Sequence, residues 1–354
     1  MLRAGAIKEW AVESFPFDLN ILKELSSEPI PNHLKRWWFA IGGTPMYLFM
    51  IQAITGIFLT FYYVPHPAEA YNSIAYITTE VRFGWFIRSI HKWSAHLMIF
   101  TLMLHMMRVF FTGAYRRPRE LNWMFGVCLL LITFGFGFTG YSLLYEQVSY
   151  WASVVGANIA AATPFIGDDI GNFLRGGNDI GPNTLTRFFV LHIGVLPTAM
   201  VVLLGLHVLQ IRLHGITTLQ FKKDRAEREN PHAESFPFYP NHFYTELILG
   251  LFLTFLLTIL ALVYPAEMGE RANPLVTPEH IKPEWFFYAM FRWLKLTSLQ
   301  VGVMGTMIFM GMLMFWPFID RVFERKWPGR EISFWLGVLG FIIFLVFTIW
   351  EAVV

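Results

Sequence analysis

The sequence predicts an all-α integral membrane protein with seven transmembrane helices. Of its 354 residues, 55% are hydrophobic and only 15% are charged, whereas a soluble domain carries about 25% charged residues. Seven mostly apolar stretches also come near the roughly 20 residues that a helix needs to cross a bilayer. A chain of this composition has too little polar surface to cover itself in water, so a membrane is its expected environment.

The predicted spans follow one another along nearly the whole chain. Backbone polar groups in hydrocarbon must be satisfied within their own segment, so each span is expected to be helical. The second span carries Lys92 and the fifth carries Glu246 near its start. Short surface helices are expected within 152–174 and over 284–295. The seven spans run over 37–62, 83–107, 121–145, 188–211, 243–264, 296–319 and 332–350.

The longest polar connection, at about 212–242, separates four spans from three. We therefore expect an N-terminal tail with a four-helix module over 1–220 and a cytoplasmic-side linker over 221–242. A three-helix module over 243–354 follows.

The distribution of Lys and Arg predicts the orientation. The N-terminal tail and the connections after the second, fourth and sixth spans hold 18 of the 27, and the other connections, counted with Arg88 near the start of the second span, hold 8. Because these residues gather on the cytoplasmic side, we expect the N-terminus there and the C-terminus on the outer side. An odd number of helices requires the same arrangement.

The single cysteine, Cys128, excludes several kinds of cofactor site. One thiol cannot build a disulfide framework, an iron–sulfur cluster or the paired-cysteine attachment of a c-type haem. The net charge of +2 gives no indication of a nucleic-acid partner. Residues 1–36 are mixed and charged, so no cleavable signal peptide is expected.

Histidines inside the second and fourth spans are a functional signal, because such side chains are costly in hydrocarbon. His91 and His105 are 14 residues apart, and His192 and His207 are 15 apart. Each pair therefore spans roughly 21–22 Å along one face of a helix. The two spans run parallel, so His91 matches His192 in depth and His105 matches His207.

Two matched imidazole pairs would hold two haems stacked across the bilayer, and two axial histidines leave no open position for oxygen. Such haems carry electrons. The alternative is that the histidines hydrogen-bond across helices. We expect that role for His96, which has no partner at its depth.

Glycines in the first and third spans repeat the spacing of the histidines. Gly42 and Gly56 are 14 residues apart, and so are Gly126 and Gly140. A porphyrin lying flat against a helix needs a missing side chain, although small residues also serve ordinary helix packing. With the histidines, the glycines favour haem contacts.

Arginines near the span ends could pair with haem propionates. Arg88, Arg108 and Arg187 are the candidates, and Arg212 could act in the same way. The alternative is that they extend to the membrane interface without a ligand.

These residues together resemble cytochrome b of the Rieske–cytochrome b complexes, the quinol:cytochrome c and quinol:plastocyanin oxidoreductases. The resemblance covers nearly the whole chain. In the photosynthetic branch a four-helix cytochrome b and a three-helix subunit are separate chains, and here they are joined. The motifs that carry it are GWFIRSIHKWSAH (84–96), LHMMRVFFTGAYRRPREL (104–121), FGFTGYSLLYEQVSYWA (136–152), LRGG (174–177), TRFFVLHIGVLP (186–197) and NPLVTPEHIKPEWFFYAMF (273–291).

The resemblance implies quinol oxidation at the outer side of the membrane. One electron would go to a Rieske iron–sulfur protein and then to a c-type cytochrome. The other would pass the haem between His91 and His192, then the haem between His105 and His207, and reduce quinone near the cytoplasmic side. Two haem b per chain, a proton-motive force, a homodimeric complex and a bacterial inner or equivalent energy-converting membrane are implied with it.

The outer quinol site is expected around Pro283, Glu284, Trp285 and Phe286, with Tyr145. Quinol loses two protons on oxidation, and a carboxyl group in apolar surroundings suits proton transfer. Glu284 is therefore the expected catalytic residue. The residues alone leave open that it caps the short helix. Phe286 lacks the hydroxyl common in the family, and Leu144-Tyr145 replaces a frequent proline-tryptophan pair.

The inner quinone site is expected near Arg212, His214 and Glu246, although these could equally be solvated interface residues. Ala40 stands where a cysteine of the photosynthetic branch tethers an extra haem, so no covalent third haem is expected.

Two other functional classes stay open. A haem b membrane anchor would pass electrons between a dehydrogenase or hydrogenase and quinone. Such anchors lack the PEWF segment and the glycine pair between the third and fourth spans, and both are present here. A transporter with intramembrane histidines would bind no haem, and it leaves the paired spacings unexplained.

Overall fold

A computed structural model describes residues 27, 29–31, 34, 41–217, 235–279 and 281–354. Ala40, the start of the first predicted span and residues 221–234 of the predicted linker lie outside the described residues.

The described part of the chain is mostly helical, as predicted. A π-helical turn at Leu191–Val195 interrupts α7, another at Phe238–His242 precedes α8, and a 3-10 turn at Trp285–Phe287 leads into α9. The helices are α1 (Thr44–Thr60), α2 (Ala70–Thr79), α3 (Gly84–Phe111), α4 (Glu120–Ser142), α5 (Gln147–Ala161), α6 (Gly167–Arg175), α7 (Pro182–His214), α8 (Phe243–Val263), α9 (Tyr288–Lys295), α10 (Leu299–Met314), α11 (Trp316–Lys326) and α12 (Ile332–Val353).

The prediction of an all-α membrane protein is confirmed, but the count of seven spans is not. Five helices in the described residues are individually long and apolar enough to cross a membrane: α3, α4, α7, α8 and α12. The sixth predicted span corresponds to α10 and α11, which are bent by 68° relative to each other. Pro317 is the second residue of α11, directly after the bend. The first is α1, with 17 residues.

The chain forms two compact units. One contains residues 1–40 and 216–252. Among its described residues, β1 (Pro29–Pro31) pairs antiparallel with β2 (Ser235–Pro237), and Ile30, Leu34 and Phe236 form a small buried cluster. The other unit contains residues 41–215 and 253–354 and carries most of the predicted site residues.

Apolar side chains from several long helices form the core of the larger unit. Because this core is confined to the middle of the bundle, the outward faces of α7 and α12 stay exposed and suit contact with lipid. The core residues are Leu48, Met98, Leu129, Met200, Leu253 and Leu257.

The connections of this unit gather at two ends of the bundle. We call them the Glu284 end and the His214 end. The helix α3 starts at the first and finishes at the second. At the Glu284 end, polar contacts join the connections: Arg88 to Ala266 O (2.7 Å), Gln147 N to Glu270 O (2.8 Å) and Tyr71 to Gly269 O (2.9 Å). Those at the His214 end are Arg116 to Asp320 (2.8 Å), Trp123 to Leu313 O (2.7 Å) and Arg119 to Gly215 O (3.0 Å).

Candidate functional site

The imidazoles of His91 on α3 and His192 on α7 face each other inside the bundle. Their ring centres are 6.4 Å apart and the rings are inclined by 72°. A metal–imidazole bond is about 2.0–2.1 Å long, so two rings on opposite sides of one ion have centres roughly 6 Å apart. The two rings that were predicted to match in depth are thus neighbours, and the spacing suits one ion between them.

Two threonines determine which ring nitrogen of this pair carries the proton. The hydroxyl of Thr55 donates to Ile51 O (2.7 Å), which leaves its lone pairs to accept from Nδ1 of His91 at 2.9 Å. Thr139 donates to Gly135 O (2.8 Å) and accepts from Nδ1 of His192 at 3.0 Å. With the proton on Nδ1, each imidazole keeps the Nε2 lone pair for a metal.

The second pair has one imidazole in the same state. Nδ1 of His207 donates to the carbonyl oxygen of Asn122 at 3.1 Å, so its Nε2 is also free to bind. His105 differs, because Arg108 Nη2 lies 3.4 Å from its Nδ1 and a guanidinium can only donate. Nε of Arg108 is buried and has no hydrogen-bond partner among the described residues.

Each of the four predicted glycines lies against one of the four histidines. A Cβ atom built on Gly56 would be 3.3 Å from Cε1 of His91, and one on Gly42 would be 3.4 Å from Cε1 of His105. For Gly126 the distance to Cε1 of His207 is 3.6 Å, and for Gly140 the distance to Cε1 of His192 is 2.6 Å. Gly42 lies two residues before α1, Gly56 lies in α1, and Gly126 and Gly140 lie in α4. Each of the four histidines therefore has a residue without a side chain beside it, which supports the predicted notches.

The other arginines lie at the Glu284 end and bind backbone carbonyls. Arg88 donates to Ala266 O and to Glu267 O (2.9 Å). Arg187 donates to Asn172 O (3.1 Å) and to Phe173 O, and its guanidinium lies over the Phe173 ring. Their predicted pairing with propionates stays a prediction.

The PEWF segment forms an aromatic pocket at the Glu284 end. Phe286 is buried, and its ring lies 6.4 Å from that of Phe134, nearly parallel to it. A Cβ atom on Gly137 would lie 3.0 Å from the same ring, so α4 leaves room for Phe286 at this point. Glu284 precedes the 3-10 turn in extended conformation, and its side chain makes no capping hydrogen bond. The helix-capping interpretation is therefore wrong.

The carboxyl group of Glu284 is held in surroundings that favour its neutral form. Its side chain is 27% exposed. Burial raises the pKa of Glu284 above the ordinary carboxyl value; Lys92 lowers it and Glu146 raises it. A group of this kind can accept a proton and release it again.

Two residues that sequence reasoning missed lie at this pocket. Trp285 Nε1–H donates to Nδ1 of His96 at 2.9 Å, and Nε2 of His96 is 4.0 Å from a carboxylate oxygen of Glu284. Glu146 lies 3.9 Å from Arg88, and its Oε1 is buried without a hydrogen-bond partner in the described part of the chain. The sequence signal for His96 was a histidine inside the second span, for which only hydrogen bonding across helices was expected, and the signal for Glu146 was an acidic residue directly after the third span.

Tyr145 packs in another cluster at the same end. It is buried, and its ring is nearly perpendicular to that of Tyr150 at 5.7 Å. Leu185 and Phe188 of α7 complete the cluster. The predicted role of Tyr145 in the quinol pocket stays a prediction.

The predicted inner-site residues lie in different units. His214 and Arg212 end α7 in the larger unit, whereas Glu246 belongs to the smaller unit and lies 3.5 Å from His242. His214 lines a cleft of about 480 Å³ at the His214 end. The cleft is lined by Arg117, Pro118, Glu120, Leu121, Met124, Gln210, His214, Phe318 and Arg321.

Comparison with known proteins decides the family. The family model Cytochrome b/b6/petB matches residues 25–215, and the model Cytochrome b(C-terminal)/b6/petD matches residues 271–353. A cytochrome bc complex cytochrome b subunit from Chlorobaculum thiosulfatiphilum is 37% identical over 96% of this chain and 80% of its own length. The chain belongs to the cytochrome b family.

Two further comparisons agree with this cytochrome b assignment. Cytochrome b6 from Heliomicrobium gestii is 45% identical over 59% of this chain and 98% of its own length. The solved structure of a hyperthermophilic respiratory Complex III chain has the same fold, with a TM-score of 0.78 over 96% of both chains and 24% identity. The parts described by the two family models are therefore both present in this one chain.

Cytochromes b bind haem, and the residues of this cytochrome b fit that group. The His91–His192 spacing suits one iron ion between the two rings, and a glycine lies against each of the four histidines. The unpartnered buried Nε of Arg108 is an available donor for a propionate beside His105. The fit to haem is thus supported by the distance between the His91 and His192 rings, by the four glycines and by the Arg108 donor.

Proposed function

We propose that this cytochrome b is the dihaem subunit of a quinol:cytochrome c oxidoreductase, or of a complex with a similar acceptor, and that it oxidises quinol at the Glu284 end. The observation that carries the proposal is the Glu284 carboxyl group, which is largely buried and lies 4.0 Å from His96 of α3. The same helix carries His91 five residues before His96, a rise of about 8 Å. Proton acceptance and electron transfer thus have sites next to each other.

The pocket residues divide the work of binding a quinol. The rings of Trp285 and Phe286 cover the apolar side and exclude water. The Glu284 carboxylate accepts a proton from a quinol hydroxyl as the quinol gives up its electrons. The exposed fraction of Glu284 gives that proton a way out towards the membrane surface.

Each histidine pair is proposed to hold one haem b, His91 with His192 and His105 with His207. Haem bound in this way supplies reversible one-electron transfer without an open position for oxygen. Thr55 and Thr139 hold the imidazoles of the first pair in the metal-binding tautomer.

The remaining assignments follow from charge and composition. The Lys and Arg distribution supports a cytoplasmic N-terminus, which makes the Glu284 end the outer end and gives proton release outside the cell. The chain has one cysteine, so an iron–sulfur cluster and a c-type haem must come from partners. We propose a Rieske protein and a c-type cytochrome as those partners, in a homodimeric complex that contributes to a proton-motive force. We keep the division at 221 and 243 as the boundary of the two modules.

Quinone reduction is proposed for the opposite end. The cleft beside His214 offers a hydrogen-bonding imidazole and an apolar side formed by Leu121, Met124 and Phe318. Arg212 and Glu246 are kept in this proposal as further proton or hydrogen-bond donors.

The test is quinol:cytochrome c reductase activity of the purified complex carrying Glu284→Gln, with haem spectra recorded on the same sample. Glutamine keeps the size of the side chain but accepts no proton, so turnover should fall by roughly 100-fold or more while the haem spectra stay unchanged. A variant that keeps wild-type turnover would refute the proposed role of Glu284. A membrane anchor for a dehydrogenase would show no quinol:cytochrome c activity in the wild-type complex either.

A further inference from the structure

We propose that His96 is a positioning residue for quinol oxidation, which holds the Glu284 carboxylate towards the substrate by donating a hydrogen bond from Nε2. The inference rests on the proposed role of Glu284 and adds a residue to that site. It concerns a side chain for which the sequence predicted only a structural role.

The side chain of His96 bridges α3 and the PEWF segment. Its ring contacts Phe286, with centroids 6.1 Å apart, and Trp93 on its own helix, with centroids 5.6 Å apart. Nδ1 receives the indole N–H of Trp285 at 2.9 Å, and Nε2 lies 4.0 Å from Oε2 of Glu284. The imidazole of His96 therefore contacts Trp285 through Nδ1 and faces Glu284 through Nε2.

The hydrogen bond from Trp285 determines the protonation state of the imidazole. An indole N–H can only donate, so Nδ1 of His96 must hold its lone pair. A neutral imidazole then carries its one proton on Nε2, the nitrogen that faces Glu284. The contact is thus between a neutral donor and a carboxylate, not between two ions.

The 4.0 Å separation is longer than a hydrogen bond. Such contacts commonly shorten when substrate closes a site. His96 does not itself take the quinol proton, because Nδ1 is occupied by Trp285 and Nε2 already carries a proton. Its effect on the reaction is through Glu284.

Other charged or titratable groups also face this pair. Lys92 lies one turn before His96 on α3 and acts on both groups. Glu146 acts on Glu284 from the connection after α4. Tyr141 of α4 and Tyr288 of α9 are near enough to interact with Glu284. All of these groups stay in place when His96 alone is changed, so they are constant across the variants below.

A donor to a carboxylate stabilises its charged form and lowers its pKa. Removing the donor should therefore raise the pKa of Glu284, and a higher pH is then needed to obtain the proton-accepting carboxylate. The rise of kcat/KM with pH should move upwards by about one pH unit. At pH values well above this rise, the variant should approach wild-type turnover. A variant with a misfolded pocket would instead turn over slowly at every pH.

The experiment measures the pH profile of kcat/KM for decylubiquinol and decylmenaquinol with cytochrome c as acceptor, on the intact complex. His96→Leu should show the full shift, and His96→Gln should show little, because an amide can both accept from Trp285 and donate to Glu284. Trp285→Phe leaves α3 unchanged but removes the hydrogen bond that keeps the His96 proton on Nε2. It should therefore shift the rise of kcat/KM with pH in the same direction as His96→Leu. Haem spectra on each sample check the fold.

A matched histidine control is available at the same end of the bundle. The His66 imidazole accepts a hydrogen bond from Ala68 N–H of its own connection, so His66→Leu should leave the pH dependence of kcat/KM unchanged. The inference is overturned if His96→Leu keeps the wild-type pH dependence, or if His96→Gln shifts as far as His96→Leu. Glu284→Gln separates this result from the proposed function, since an inactive Glu284→Gln with an unshifted His96→Leu refutes only the role of His96.

Discussion

Gly140 and His192 approach so closely that a single methyl group on the glycine would lie 2.6 Å from Cε1 of the imidazole. Real Cβ contacts are essentially never this short, so no other side chain is compatible with the observed position of His192. The glycine thus helps to determine where the imidazole of His192 lies.

Gly140→Ala is therefore expected to displace His192 and weaken the haem between it and His91. The physical reason is that the new methyl group and the imidazole cannot occupy the same space. The measurement is the reduced-minus-oxidised spectrum with a redox titration, in which one of two b-type components should be lost or shifted.

The control for this variant is Gly135→Ala on the same helix. A Cβ atom there would lie 3.6 Å from Leu196, an ordinary van der Waals distance. This variant should keep both spectral components. Equal spectra for the two variants would show that Gly140 does not determine the position of the imidazole.

Thr139→Val should weaken haem binding at His192 and raise the midpoint potential of that haem. The threonine hydroxyl accepts the Nδ1 proton of His192, and without it the imidazole is a less basic ligand that stabilises ferric iron less. Losses of roughly 10-fold or more in cofactor affinity are usual for such changes. Haem content and potentiometry check this.

Two further threonine variants make this test specific. Thr139→Ser keeps the acceptor and should restore wild-type values. Thr101 is also buried, but its hydroxyl bonds to Leu97 O of its own helix (2.8 Å), so Thr101→Val should not change either potential. A wild-type midpoint potential in Thr139→Val would show that the Thr139 hydroxyl does not affect the haem at His192.

The burial of Glu284 should make stability depend on pH. Its folded-state pKa is raised, so its protonated form favours folding. This stability is present below the ordinary carboxyl value, near 4.3, and is lost as the pH rises through the folded pKa. Glu284→Gln stays neutral, so its Tm should exceed that of the wild type at neutral pH and match it at acidic pH. A lower Tm at neutral pH would contradict this.

Glu351, fully buried in α12, ties the surface helix α9 to the C-terminal end of the chain. Its carboxylate lies 2.5 Å from Lys295 Nζ and 3.6 Å from Arg292, whose guanidinium also lies over the ring of Trp350 at 3.7 Å. Glu351→Gln leaves both cations without a counter-charge and should cost about 3–5 kcal/mol.

Thermal unfolding of the purified complex measures this cost. Lys295→Met is the comparison, and its loss should be smaller because Arg292 still faces the carboxylate and Lys295 is 42% exposed. Equal losses would show that the charge of Glu351 is not what holds the two helices together.

The haem-facing residues could be predicted because helix periodicity alone relates them. The spacing of 14 residues between Gly126 and Gly140 places both on nearly one face, whatever the connections do. The partner of His96 could not be predicted, since it depends on the irregular backbone that brings Trp285 back to α3. The 68° bend before Pro317 was missed for a similar reason, because an unbroken apolar pattern does not show where a helix turns.

The central claim is two non-covalent b haems on four histidines, and the most direct test is haem per chain on the purified protein. Pyridine haemochrome analysis followed by acid-acetone extraction gives both the number and the attachment. We expect two extractable b haems per chain. No haem, or a single one, would contradict the paired histidine sites.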